Sequence, residues 1–213
     1  MPPVRSKVAV GSAEARYYDL FMDVISLAYY PYLIKRVVDK MEIQPGQSIL
    51  DLGSGTGRND CLIARKIGPD GSVLGLDISK EMLDLSRKRC QSYPNVEFKE
   101  QRIEMPLTYQ EEFDKVSISF VLHGFEDAQK VGIISNAYRA LKPGGAFFIF
   151  DYNEFELERL WFPLRWAFIH GECQLASEFL RLDLKRMLSN QEFVSFQEEL
   201  FLRGHLRLLK AAK

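Results

Sequence analysis

The sequence predicts a doubly wound α/β domain, and three observations carry that expectation. Short β-rich runs alternate with longer amphipathic helical patterns from about residue 48; the runs are apolar almost throughout; and a glycine-dense turn, GSGTG at residues 53–57, stands directly behind the first of them. Parallel strands need crossover connections, and those crossovers cover both faces of the sheet, so each strand loses its polar side.

The elements follow in order. Residues 1–47 read as a helical cap, tyrosine-rich at first, with a second helix at YLIKRVVDKM leading into the first strand. SILDL is that strand, and CLIARKI, with Leu62, Ile63 and Ile67 on one face, is the helix after it, closed by GPDG. SVLGLDI is a strand, MLDLSRKRC a helix, VEFK and KVSISFVL strands, VGIISNAYRAL a helix stopped by KPGG, and AFFIFDY a strand. FVLHGF should carry the fourth strand on to the rim of the sheet. The core thus occupies residues 48–152. An aromatic insertion follows at 153–175, then, within 176–213, a helix at EFLRLDLKRML and two strands, FVSFQEELFL and HLRLLKAA. Arg203 and Gly204 between those strands are too short for a crossover, so the pair should be an antiparallel hairpin. No linker or repeat interrupts the chain, and residues 1–213 are expected to be one domain.

Composition excludes several classes. The 213 residues carry 28 basic and 29 acidic side chains and are 46% apolar, so the chain can bury a core but has no field to hold a polyanion; nucleic acid is not an expected partner. Cys61, Cys90 and Cys173 are odd in number and lack a CxxC spacing, which suggests neither a disulfide framework nor a metal site. They read as thiols in a reducing compartment. MPPVRSKVAVGSAEARYYDL lacks an apolar leader core, and no run is long enough to span a bilayer, so a cytoplasmic, soluble protein is expected.

In an open parallel sheet, ligands collect at the carboxyl ends of the strands, where Gly53, Ser54, Gly55, Thr56 and Gly57 lie. Bare backbone lets a ligand approach its N–H and C=O groups; a tight turn with no ligand is the alternative. Arg58 stands where a dinucleotide fold needs a third glycine, and no lysine of the phosphate-loop kind follows. Asp77, ending SVLGLD, is placed to take vicinal ribose hydroxyls. A ligand with a ribose and no pyrophosphate is implied.

ILDLGSGTG, LGLDIS, FDKVSISFVLH and ALKPGGAFFIFD, in that order and spacing, resemble the class I S-adenosylmethionine-dependent methyltransferases over roughly residues 15–213. Within them the chain looks most like the ubiquinone/menaquinone C-methyltransferases, sharing YDxxxDVxS through Tyr18, Asp19, Asp23, Val24 and Ser26, and ISF at Ile118, Ser119 and Phe120. The resemblance implies a Rossmann-like seven-stranded sheet in the order 3-2-1-4-5-7-6 with strand 7 antiparallel. It implies S-adenosylmethionine as cofactor, S-adenosylhomocysteine as product, and no metal. Asp51 and the backbone of Gly53 would hold the donor's ammonium, with Thr56 nearby; Asp77 would take the ribose; Ile78 and Met82 would flank the adenine. Arg102 and Ile103 fall where the family has Asp or Asn followed by a small apolar residue beside that ring. A guanidinium cannot accept the adenine's amino hydrogen bond, so the Arg102 backbone, Glu104 or apolar stacking would have to serve. Ser119 would close the pocket.

Methyl transfer from a sulfonium rewards positioning and dryness, and an acceptor that must lose a proton needs a base. His123 is the candidate, with a rim histidine bonded to backbone as the alternative; the quinone enzymes have Arg-Asn where His123 and Gly124 stand. His170 and His205 read as solvent-exposed structural residues. The insertion carries Tyr152, Phe155, Leu160, Trp161, Phe162, Trp166 and Phe168, which suit an acceptor lid or an interfacial segment in peripheral contact with a bilayer, or simply packing on the sheet. Arg165 is placed to meet an acidic or phosphate group, and Tyr17 and Tyr18 to shut the donor pocket. The expected partner is a small, largely apolar acceptor. A lipid head-group amine, a non-catalytic S-adenosylmethionine-binding module and a nicotinamide enzyme remain as rivals.

Overall fold

The computed structural model describes residues 29–157, Phe162 and residues 174–213. Tyr17, Tyr18, Trp161, Arg165, Trp166, Phe168, His170 and most of the expected lid lie outside the described residues. Helix α1 (Tyr29–Lys40) precedes β1 (Ser48–Leu52), α2 (Arg58–Ile67), β2 (Ser72–Asp77), α3 (Lys80–Arg89), β3 (Val96–Glu100), β4 (Phe113–Ser119), α4 (Asp127–Ala140) and β5 (Leu141–Tyr152). The short helices α5 (Gln174–Phe179) and α6 (Leu184–Ser189) then lead to β6 (Ser195–Phe201) and β7 (Leu206–Ala212). The sheet runs β3-β2-β1-β4-β5-β7-β6, with β1 to β5 paired in parallel and β7 antiparallel to both β5 and β6. This is the predicted order.

Alternation along the strands divides the core into two layers. Leu50, Leu52, Leu76, Val116, Ile118, Phe147 and Ile149 face α4, where they meet Ile133, Ile134 and Ala137. Ile49, Val73, Phe148 and Phe150 face the other way, onto Leu33, Ile34, Val37 and Val38 of α1 and Ile63 and Ile67 of α2. Side chains of consecutive strand residues point to opposite faces, so an apolar residue at nearly every position is what two covered faces demand.

Four local expectations need correction. KPGG does not separate a helix from a later strand: β5 begins at Leu141, and the ladder to β4 jumps from Phe113↔Leu141 to Lys115↔Ala146, so the loop bulges out of the strand while Gly144 turns at φ +78°. EFLRLDLKRML is not one helix, because Asp183 caps a new one, its carboxylate accepting the Arg186 N–H at 2.9 Å. FVLHGF does not extend β4, which ends at Ser119; Phe120 takes φ +55°, and His123 lies in a 3-10 turn, Leu122–Gly124. Cys61 and Cys90 are bridged, with Cα atoms 5.5 Å apart. Cys61 sits in α2 and Cys90 at the end of α3, and their separation of 29 residues conceals a pairing that only the packing of the two helices creates.

Candidate active site

The glycine turn and Asp77 form one structure. Gly53 and Ser54 both donate their N–H to the Leu76 carbonyl, at 2.8 and 2.9 Å, which folds the turn over the end of β2. Gly55 N–H then donates to Asp77 Oδ2 at 2.8 Å, and Ser79 N–H to Asp77 Oδ1 at 2.9 Å. The Ile78 N–H also bonds this carboxylate, and a carboxylate offers about four lone-pair positions, so about one remains for a hydroxyl donor. Gly53 and Gly57 are required by packing, since a Cβ would fall 2.7 Å from Val121 Cγ2 and 2.8 Å from Ser86 Cβ respectively. At Gly55 a Cβ would meet nothing within 4 Å. Its φ of +53° turns bare backbone toward open space beside Asp77.

Beneath the turn lie two further carboxylates. Asp51 on β1 is buried and accepts the Ser117 hydroxyl at 2.6 Å; burial pushes its carboxyl up to about 6, against the Ser117 hydrogen bond and with the Asp77 charge adding to the rise. Asp60, in the first turn of α2, is fully buried with no hydrogen-bond partner on another residue for its carboxylate among the described residues, and burial followed by the charge of Asp51 raises it well above the usual range. Burial also raises Asp77, against the N–H groups of Ser79, Gly55 and Ile78. Burial makes Asp51, Asp60 and Asp77 costly to ionise, and a cation beside them would lower that cost whereas a phosphate would raise it.

The remaining expected contacts divide. Ser119, at the end of β4, accepts Asn59 Nδ2 at 3.0 Å and so joins the turn region. The segment with Arg102 and Ile103 runs beside Asp77, whose carbonyl accepts the Gln101 N–H at 2.9 Å. Within it Arg102 pairs with Glu104, while Ile103 is buried in the α4-facing core and its carbonyl accepts Asn136 Nδ2 at 2.8 Å. Ile78 is half-buried, and Met82 is buried with its N–H on Ser79 Oγ at 3.3 Å. Thr56 turns to α3, where its hydroxyl accepts Arg89 Nη1 at 2.6 Å; Ser54 Oγ is buried without a hydrogen-bond partner among the described residues.

On the acceptor side, Phe120 packs on Phe150 with ring centroids 4.8 Å apart, and the left-handed turn there lays Val121 over Gly53. His123 Nδ1 lies 2.7 Å from Asp151 Oδ1, its ring 5.1 Å from that of Tyr152 and 6.4 Å from that of Phe179. Asp151 and Asp60 were not among the residues expected from sequence. Asp151 had a signal, an acid ending a strand as Asp77 does; Asp60 had none, because a helical acid next to Arg58 and Asn59 reads as surface. His205 is half-buried rather than solvent-exposed, its ring 4.9 Å from that of Phe155. A cavity of about 540 Å³ beside it is lined by Glu154, Ser177, Leu180 and Arg181 among others, but not by His123 or the glycine turn. Among the described residues no cluster could hold a metal ion, and no helix is long and apolar enough to cross a membrane.

Comparison with known proteins shows a family and a fold. Residues 6–170 match the model of the ubiE/COQ5 methyltransferase family. A demethylmenaquinone methyltransferase of Lactobacillus johnsonii is 33% identical over 66% of this chain and 58% of its own length. A ubiquinone/menaquinone biosynthesis C-methyltransferase of Methylococcus capsulatus is 30% identical over 71% of this chain and 62% of its own. The chain thus spans about three fifths of the length of the relatives it matches. Among solved structures, a methyltransferase from Aquifex aeolicus superposes with TM-score 0.64 at 16% identity, covering 84% of this chain and 88% of that one. A Haemonchus contortus phosphoethanolamine N-methyltransferase in complex with S-adenosyl-L-methionine gives 0.67 at 16%, covering 85% and 52%. At such identities the likeness is one of fold.

Proposed function

The chain belongs to the ubiE/COQ5 methyltransferase family, and we propose that it transfers a methyl group from S-adenosylmethionine to a small, largely apolar acceptor with a quinone-like ring. The observation that carries the donor assignment is Asp77 beside the open face of Gly55, with the buried Asp51 and Asp60 near enough for the three charges to interact. A nicotinamide dinucleotide would bring a pyrophosphate into that negative socket, whereas S-adenosylmethionine brings an ammonium and a sulfonium. Asp51 and the Gly53 backbone would hold the ammonium, Asp77 the ribose hydroxyls, and Ile78, Met82 and the 102–103 segment the adenine, with Ser119 at the rim. When bound, the donor supplies an electrophilic methyl carbon. The chain's own work is to hold that carbon in line, exclude water and accept the acceptor's proton, which is the role of His123.

The names of the relatives support a quinone-like acceptor. Tyr18, Tyr152, Trp161 and Arg165 are the side chains proposed to line its site. Asp77→Ala is expected to weaken S-adenosylmethionine binding by roughly 1.5–3 kcal/mol, the loss of a hydrogen bond to a charged group. Unchanged affinity by calorimetry would reject the ribose role. Incubation with methyl-labelled donor and a naphthohydroquinone should label the ring; label on a lipid amine instead would replace this acceptor class, and binding without transfer to either would mean a non-catalytic module.

A further inference from the structure

We propose that Asp151 is the positioning residue for His123, fixing the imidazole so that Nε2 is the nitrogen that takes the acceptor's proton. This rests on the reading of His123 as the base. The hold is made at two points. Asp151 Oδ1 faces Nδ1 at 2.7 Å, and Oδ2 accepts the main-chain N–H of the same histidine at 3.2 Å. The carboxylate is itself anchored, since Oδ1 also accepts the Tyr152 N–H at 2.8 Å, and its side chain is only 3% exposed. Ring orientation and backbone position of His123 therefore depend on one buried group at the end of β5, with Tyr152 and Phe179 packed against the imidazole.

An ionised carboxylate can only accept hydrogen bonds, so the proton of the neutral ring belongs on Nδ1 and the lone pair on Nε2. In the step itself, the hydroquinone's O–H bond breaks and the proton forms an N–H bond at Nε2. The freed electron pair, delocalised to the ring, makes the ring carbon the nucleophile, and that carbon's own proton is lost to water as the ring regains aromaticity and its oxygen is reprotonated. The imidazolium that results stands beside the Asp151 carboxylate, which balances its charge without taking the proton. Where the family pattern has Arg-Asn, His123 and Asp151 form a base with its own orienter, drawn from the ends of two neighbouring strands.

The test begins with the unaltered protein. Long-range proton–nitrogen NMR of the full chain, with His123 assigned by its loss in His123→Ala, is expected to show the Nδ1–H tautomer; an Nε2–H tautomer would overturn the proposal. In Asp151→Asn the side chain can donate to Nδ1, so the ring proton should move to Nε2. Turnover of a short-chain naphthohydroquinone should fall on the order of 100-fold in kcat, with KM and the S-adenosylmethionine Kd unchanged. Retention of both the wild-type tautomer and kcat in Asp151→Asn defeats the positioning role. Wild-type turnover in His123→Ala defeats the base itself, and is distinguishable because the Nδ1–H signal of the unaltered protein would persist.

Discussion

Donor affinity should depend on pH through Asp51. Burial holds its carboxyl near 6 when no cation is present, and the Ser117 hydroxyl at 2.6 Å is what keeps it from rising further. An ammonium seated on it favours the ionised form, so binding below that value must expel a proton. If only the ionised form binds, the apparent Kd scales with one plus the ratio of protonated to ionised Asp51. Affinity is then nearly unaffected at pH 7, about twofold weaker at pH 6 and about tenfold weaker at pH 5. That window also keeps the donor's own α-ammonium charged. Calorimetry at these three values, in buffers of different ionisation heat, measures the affinity and the protons released together. Release should approach one proton per donor at pH 5. Asp77 and Asp60 are also raised, the charges of Asp51 and Asp77 adding to the rise at Asp60, so a steeper dependence would be theirs; Asp51→Asn separates the contributions by removing the part due to Asp51. Ser117→Ala should move the midpoint to higher pH. A constant Kd from pH 7 to 5 with no proton release would refute the assignment of Asp51 to the cation.

Three further expectations concern the scaffold around that site. A carboxyl whose folded pKa lies above its unfolded value contributes stability at low pH that is lost as pH rises from the unfolded to the folded value, so the donor-free protein should lose stability between about pH 4 and 6 through Asp51, with no further loss from it above 6, and on to higher pH through Asp60; Asp60→Asn should remove its share, seen as a higher Tm above neutral pH with no gain at pH 4. Gly55→Ala should cost about 1–2 kcal/mol for a Cβ at positive φ and abolish donor binding by filling the open face, whereas Gly53→Ala, which drives a Cβ into Val121, should cost more in stability, as urea unfolding would show. Reduction of the Cys61–Cys90 bridge should expose two additional titratable thiols and lower stability by about 3.5 kcal/mol on the chain-entropy account of a loop of this length; an unchanged thiol count would mean no bridge.

What could be read from sequence follows from how local each feature is. The parallel core and the antiparallel β7 were accessible because apolar runs, crossover lengths and a two-residue turn are all short-range patterns, whereas the strand order followed only from the resemblance to the class I methyltransferases. Asp77 was accessible because it ends a strand on the ligand side, and the Gly55 N–H on its carboxylate explains why turn and acid occur together. The breaks were less visible: Asp183 reads as one polar position in a helical pattern until its capping bond is seen, and KPGG reads as a helix stop whether or not a strand has already begun. Cys61 and Cys90, Asp60 and the His123–Asp151 pair depend on contacts between elements far apart in the chain, and no spacing rule reports those.

The two halves of the site are joined at one residue, Phe120. Its φ of +55° is a conformation that costs a non-glycine residue about 1–2 kcal/mol, and it persists because its N–H donates to the Phe150 carbonyl at 2.8 Å and its ring packs on Phe150 and Tyr152. The turn it makes ends β4 directly after Ser119. Val121 is thereby laid over Gly53 on the donor side, and His123 is carried onto Asp151 on the acceptor side. An extended residue at position 120 would continue the strand and separate these contacts. Phe150 and Asp151 belong to the same strand, so β5 supplies both the surface that sustains the strained turn and the carboxylate that receives the histidine. On this reading the proposed donor socket and base are placed relative to each other by the adjacent ends of β4 and β5, the arrangement an in-line transfer requires.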